Sequence, residues 1–197
     1  MMSTPTRAKK ESARDKLLHA AATLFYNNGI AATGIDSIVK KADVAKKSLY
    51  NNFASKSDLI AAYIESRHAE WLSLYAQRLQ QATTPTERVL AVFDAYTDHA
   101  DDAYERGFRG CGLLNAAAEF PAGDTARLAV RAHKEDVEAL LQQHVAELLP
   151  EQPERSAALA QHLAFLLEGA MVRAGLEGHS ACSAQARAIA AALLENA

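Results

Sequence analysis

Apolar side chains recur along this chain at helical spacing, broken at intervals by glycine and proline, and no stretch alternates as a strand would. Between Ser12 and Asn28, Leu17, Ala21, Leu24 and Phe25 fall on one stripe of a helix that Gly29 ends. Ile35, Ile38 and Val39 predict a short helix over Ile35–Ala42, and Leu49 with Phe53 another over Lys46–Asn52. A long helix is expected from Lys56 to about Ala82, carrying Ile60, Ile64, Trp71, Leu74 and Leu79 inward. Further helices are expected over Pro85–Glu105, Cys111–Phe120, Thr125–Leu149, Pro153–Glu177 and Ser183–Glu195. The breaks between them fall at ERGFRG, FPAGD, LPEQP and GLEGHS. The expected fold class is all-α with about nine helices: a three-helix head over residues 1–55 and a larger helical body over residues 56–197.

Hydroxyl and carboxylate pairs mark the helix starts. Ser12-Ala-Arg-Asp15, Thr33-Gly-Ile-Asp36 and Ser55-Lys-Ser-Asp58 place them three residues apart, the spacing of a capping box. Thr84-Pro-Thr-Glu87 repeats the spacing with glutamate and puts proline at the first helical position.

Charge changes the picture more than composition does. The formal net charge is only −3, yet residues 1–56 hold ten Lys and Arg against four Asp and Glu, and eight of the nine lysines. The remaining residues are acidic. A basic head, with a basic N-terminal arm, on an acidic body points to a polyanionic partner, and nucleic acid suits the head better than a membrane. With 49% hydrophobic residues the chain can bury a core. No membrane-length apolar run and no secretion signal occur, so a cytoplasmic protein with no membrane partner is expected. Cys111 and Cys182 have no metal or disulfide spacing. The histidines are scattered, and no metal and no cofactor is expected. Nucleophile elbows and glycine-rich phosphate loops are absent from the sequence, so no enzyme is expected.

The third helix carries the candidate chemistry. Leu49 and Phe53, with Val44, face inward; Lys47, Ser48 and Asn51 lie farthest from that stripe, with Lys46, Tyr50 and Asn52 on its flanks. A helix of this size fits the DNA major groove, where lysine and asparagine read base edges and hydroxyls hold phosphates. Two short helices joined by a tight turn, the second polar and basic, form the helix-turn-helix pattern.

The stretch AAATLFYNNGIAATGIDSIVKKADVAKKSLYNNFASKSDL resembles the DNA-binding head of the TetR (tetracycline-repressor) family of bacterial transcription regulators. Leu24-Phe25, Gly29, Thr33, Ile38, Ala42, Val44, Leu49-Tyr50, Phe53, Ser55-Lys56 and Leu59 carry the likeness. The resemblance implies DNA-contact positions at Thr33, Lys47, Ser48, Tyr50, Asn52 and Lys56, to which the helix geometry adds Lys46 and Asn51. Asp43 stands where the family usually has glycine, and Ala45 where it has a hydroxyl cap, a loss of roughly 1 kcal/mol. Lys47 replaces a frequent glycine and Asn52 a frequent histidine, which bears on the operator read.

The body resembles the family in helix count and layout only. The implied function is a homodimeric repressor on a near-palindromic double-stranded operator, released by a small-molecule inducer. The alternative is an architectural or partner-recruiting DNA-binding protein without a ligand. Candidates for the ligand cavity are Trp71, Phe93, Tyr96, Phe108, Asn115, Glu119 and Phe165, with core packing the competing role for the aromatic ones. Asn115 and Glu119 are expected on one face of one short helix. By the resemblance the last two helices pair with a partner subunit, and Gly169, Ala170, Arg173, Ala188 and Ala191 are the candidate contacts.

Overall fold

The computed structural model describes residues 11–102 and 104–197. Within them the chain forms nine α-helices: α1 (Ala13–Asn28), α2 (Ile35–Ala42), α3 (Lys46–Asn52), α4 (Lys56–Leu79), α5 (Pro85–Ala100), α6 (Gly112–Ala117), α7 (Thr125–Leu148), α8 (Pro153–Glu177) and α9 (Ala181–Glu195). The basic arm expected before residue 11 lies outside the described residues.

Two compact units result, one running through Tyr63 and one from Ile64 to Ala197. In the first, α1, α2 and α3 pack on one another. Leu17, Ala21, Phe25, Ile38, Leu49 and Phe53 fill the space between them, Leu17, Ala21, Ile38 and Leu49 with no exposed surface. Each large apolar side chain buried this way contributes about 1.5–3 kcal/mol. The first turns of α4 belong to this unit, because Leu59 is fully buried and Tyr63 meets Phe25 edge-on at 5.5 Å. In the second unit α7 packs on α5, α6 and α8, and α9 packs on α5 and α8.

The caps fall partly as expected. The Thr84–Glu87 box is complete: Glu87 N–H donates to the Thr84 hydroxyl at 3.2 Å, and Thr84 N–H donates to the Glu87 carboxylate at 3.0 Å. Hydrogen bonds from the Thr83 hydroxyl and N–H to the same carboxylate hold its pKa down at about 2. Ser12 and Ser55 accept from Asp15 N–H and Asp58 N–H. At α2 the expectation fails. Gly34 is the N-cap and no side chain caps it. Thr33, 2% exposed, instead turns its hydroxyl inward to donate to the Gly29 carbonyl at 2.6 Å.

Three helices are shorter than their apolar pattern suggested, α4 ending at Leu79 rather than about Ala82. α5 stops at Ala100, ahead of Asp101 and Asp102, whose negative charge is unfavourable beside the carbonyl end of a helix. The Tyr104 hydroxyl then donates back to the His99 carbonyl at 2.7 Å. α6 ends at Ala117, and the chain tightens into turns through Phe120. Glu119 therefore lies past the helix that carries Asn115, which corrects the expected shared face.

Candidate nucleic-acid interface and ligand site

In the first unit, the turn between α2 and α3 is made by Asp43 at φ 51° and ψ 51°, the left-handed region. Aspartate tolerates this region better than most residues, which explains how it stands where glycine is usual. α3 starts at Ala45 without a side-chain cap. The buried Leu49 anchors it, leaving Lys46, Lys47, Tyr50, Asn51 and Asn52 exposed and Ser48 half-buried. Lys46 pairs with Asp36 of α2 at 2.8 Å, an exposed pair that orients the side chain and adds little stability. Its hydrogen bond to Asp36 holds the Lys46 pKa above its ordinary value. The Asn52 amide donates to the Ser48 carbonyl at 2.8 Å. Lys47 and Asn51 are thus the outward pair one turn apart.

Two expected DNA contacts make bonds within the head. Thr33 is buried, its hydroxyl bonded to the Gly29 and Leu24 carbonyls and its N–H to the Ile30 carbonyl, so it shapes the turn before α2. Lys56 donates to the Ile30 carbonyl at 2.6 Å and ties the start of α4 to the same turn. The threonine reads as a contact in sequence because a hydroxyl beside a helix start suits a phosphate; only the packing shows it facing inward.

The second unit holds a buried polar cluster that periodicity does not reveal. Arg67 on α4 donates to His99 Nε2 at 2.6 Å and pairs with Glu70 at 2.6 Å. Since arginine only donates, that imidazole nitrogen is unprotonated. Burial, with Arg67 adding, pushes the His99 pKa down to about 3. His68 and His133 share one proton-mediated contact between their Nδ1 atoms at 2.6 Å, and burial together with Lys134 and His68 depresses His133 to about 3. Lys134 donates to the Tyr96 hydroxyl at 3.2 Å, pairs with Glu168 at 2.8 Å and lies 3.7 Å from Cys111 Sγ. Trp71 sits among Tyr75, Tyr96 and His133, with ring centroids 5.4–5.7 Å away. Its Nε1 and His144 Nδ1 are buried with no hydrogen-bond partner among the described residues.

Two openings border this cluster. A void of about 10 Å³ is lined by Arg67, Trp71, Tyr96, His99, Cys111, Leu113 and His133. A groove of about 330 Å³ runs along α8, where Leu114, Asn115, Met171, Val172 and Leu176 form most of its wall and Cys111 its inner end. Of the expected ligand residues, Trp71 and Tyr96 line the void and Asn115 the groove, its amide donating to the Arg109 carbonyl at 3.0 Å. Phe93 and Phe108 line neither and are buried core. Glu119 is exposed and borders neither. Phe165 is 64% exposed, on the solvent side of α8, and is not a cavity wall.

The segment before α6 is held by a close backbone crossing. A Cβ built on Gly175 of α8 would stand 2.6 Å from Gly110 Cα and 2.7 Å from Gly110 N. Gly110 itself has φ +82°. Gly175→Ala is expected to push the Arg109–Gly110 backbone off α8 and destabilise the unit by about 1–3 kcal/mol. Denaturant unfolding checks this; an unchanged midpoint would contradict the crossing.

Of the eight large apolar side chains exposed among the described residues, five lie on α8 and α9: Phe165, Val172, Leu176, Ile189 and Leu193. Among the expected dimer contacts, Gly169 faces open space, and Arg173 and Ala188 are exposed. Ala191 is half-buried. Ala170 is 9% exposed and packs within the subunit, which removes it from that set.

The family model for bacterial regulatory proteins of the tetR family matches residues 17–63, the region of α1 to the first turns of α4. The HTH-type transcriptional repressor KstR2 of Mycolicibacterium smegmatis is 35% identical over 95 residues, 48% of this chain and 46% of that protein. The HTH-type transcriptional activator FasR of the same organism is 33% identical over 92 residues, 47% of this chain and 42% of that protein. The match thus spans less than half the length of these curated relatives. A TetR-family transcriptional regulator from Streptomyces coelicolor has the same fold over nearly the whole chain: TM-score 0.84, 28% identity, covering 93% of this chain and 95% of that one. Residues 17–63 thus match the tetR family of bacterial regulatory proteins, and over nearly its whole length the chain is similar in fold to a TetR-family transcriptional regulator.

Proposed function

We propose that this protein is a homodimeric DNA-binding repressor that a small, partly hydrophobic ligand releases from its operator. The observation that carries the reading is α3, anchored by Leu49 at 0% exposure while Lys47, Tyr50 and Asn51 stand in solvent on the other side. A helix so held offers donors to base edges and phosphates. One such helix of seven residues reads few bases, so useful specificity requires two heads. The apolar stripe of α8 and α9 supports pairing there, with Gly169 allowing close approach. Of these relatives, KstR2 is named a repressor and FasR an activator.

Ligand response rests on the groove, on the orphan Trp71 N–H and on α4, one continuous helix from Lys56 to Leu79. A ligand that prefers one tilt of α4 shifts the population of head positions. Operator DNA must then weaken ligand binding by the same factor, commonly about 5–150-fold. One observation favours the second reading, a DNA-binding protein without a ligand: the interior beside Trp71 leaves a void of only about 10 Å³. The orphan indole N–H, a costly feature for a merely packed core, weighs toward the sensor.

Lys47→Ala and Asn51→Ala are each expected to cost roughly 1–3 kcal/mol of operator affinity while the melting temperature holds. Wild-type affinity should fall steeply as salt rises. Fluorescence anisotropy with duplex DNA reads both. Affinity that ignores salt, or a double variant that binds as the wild type does, would overturn the proposal.

A further inference from the structure

The groove along α8 and the void beside Trp71 have one wall residue in common, Cys111. Outside it the surface is mostly apolar: Leu114, Met171, Val172 and Leu176. Inside it every buried charge already has an opposite. Arg67 is paired with Glu70, and Lys134 with Glu168. His99 accepts from Arg67 and is therefore neutral. Of the His68–His133 pair, at least one ring must be neutral for the 2.6 Å contact to form. Arg109, exposed at the groove's rim, is itself engaged. What remains unmet in the wall is a single neutral donor, the Trp71 indole N–H, on a residue only 3% exposed.

The pairing of these charges discriminates among ligand classes. An anion entering here would have to compete with Glu70 or Glu168 for a cation. A cation would lie beside Arg67 and Lys134 with no carboxylate left over. Either loses its hydration without a partner, a heavy cost in a buried site. An uncharged molecule loses little, and one carrying an acceptor oxygen gains the hydrogen bond that Trp71 lacks. The void has room for about one oxygen-sized group, as a buried water would need, while the groove can take an apolar body. The partition between them is a glycine-punctuated segment, with Gly107 at φ +80° and Gly110 at φ +82° on the approach to Cys111.

We propose that groove and void form one site for a small uncharged molecule with an apolar, aromatic-compatible body and one acceptor oxygen, such as an arylalkyl ketone, whose oxygen takes the Trp71 N–H. This rests on the reading of the second unit as a ligand sensor and names the class of its ligand. Displacement of the Cys111–Leu113 segment admits the oxygen, and Trp71, Tyr96 and His133 surround it.

Trp71 is the chain's one tryptophan, so its emission reports the site directly. The full chain is titrated with three size-matched probes: 4-phenylbutan-2-one, 3-phenylpropionate and 3-phenylpropylamine. The ketone is expected to shift Trp71 emission and, by calorimetry, to bind roughly tenfold or more tighter than either ion. Trp71→Phe removes a buried unmet donor, so its melting temperature should hold, yet its affinity for the ketone should fall roughly five- to tenfold. Absence of ketone binding, an acid or amine that binds as tightly, or unchanged ketone affinity in Trp71→Phe would each overturn the inference. The wild-type protein's salt-dependent DNA affinity, measured alongside, separates the cases. If it persists, only the ligand assignment falls; if it is missing, the regulator reading falls with it.

Discussion

Lowering the pH from 7 to 5 is expected to remove roughly 3–4 kcal/mol from the stability of the second unit. His99 and His133 are 8% and 4% exposed, and both have pKa values pushed down to about 3. In the unfolded chain they titrate near 6.5. Below that value the unfolded state takes up protons that the folded state refuses, so stability falls as the pH drops and is fully spent only near pH 3. Above pH 7 the two residues contribute no slope. The surroundings reinforce the sign: Arg67 and Lys134 face His99, against Asp102 alone, while Lys134, His68 and His99 all oppose charge on His133. Against a typical domain stability of about 5–15 kcal/mol, the loss should lower the melting temperature by on the order of 10 °C. A His99→Gln/His133→Gln protein, whose amides accept hydrogen bonds and do not titrate, should lose less than half as much. Trp71 fluorescence melts at the two pH values check this, and a wild-type profile flat from pH 7 to pH 5 contradicts it.

Placing aspartate at both Phe165 and Ile189 should turn the protein into a monomer and, through the lost second head, abolish tight operator binding. These side chains are 64% and 52% exposed, on α8 and α9, and α9 adds Leu193 at 40%, away from the groove that Val172 and Leu176 line. Central apolar anchors of an interface are commonly worth about 2 kcal/mol or more each, and a carboxylate buried there without a partner costs further. Both sites already face solvent within one chain, so the monomer's fold should survive. Sedimentation at micromolar concentration distinguishes the outcomes. A wild type that runs as a monomer, or a double variant that still runs as a dimer, contradicts pairing through this face.

The head was legible in the sequence because its signals are local. Leu17, Leu49 and Phe53 fall at helical spacing, Gly29 and Asp43 stand at turns, and the bounds of α2 and α3 follow from them. What local pattern could not show is direction and long-range company. A hydroxyl three residues before a carboxylate looks the same whether it caps a helix, as Ser12 does, or turns inward, as Thr33 does. The polar cluster of the body joins α4, α5, α7 and α8 across residues far apart in the chain, so no spacing rule links Arg67 to His99 or Lys134 to Glu168. One signal was available: Lys134 is the sole lysine beyond residue 56, set in a helix whose neighbours include the buried Val130 and Val137. Phe165 was misplaced for a related reason. α8 is apolar on more than one side, and periodicity alone does not say which side meets its own subunit and which meets solvent.

Selection of binding sites from random duplex DNA, followed by footprinting, tests the central claim most directly. Two copies of α3 held by one dimer should enrich a near-palindromic site whose half-sites lie about 34–36 Å apart, centre to centre. Protection should cover both half-sites together, and Lys47→Ala/Asn51→Ala should lose the enrichment. A pool that yields no common sequence, or a single unpaired half-site bound equally well by that double variant, would contradict the account.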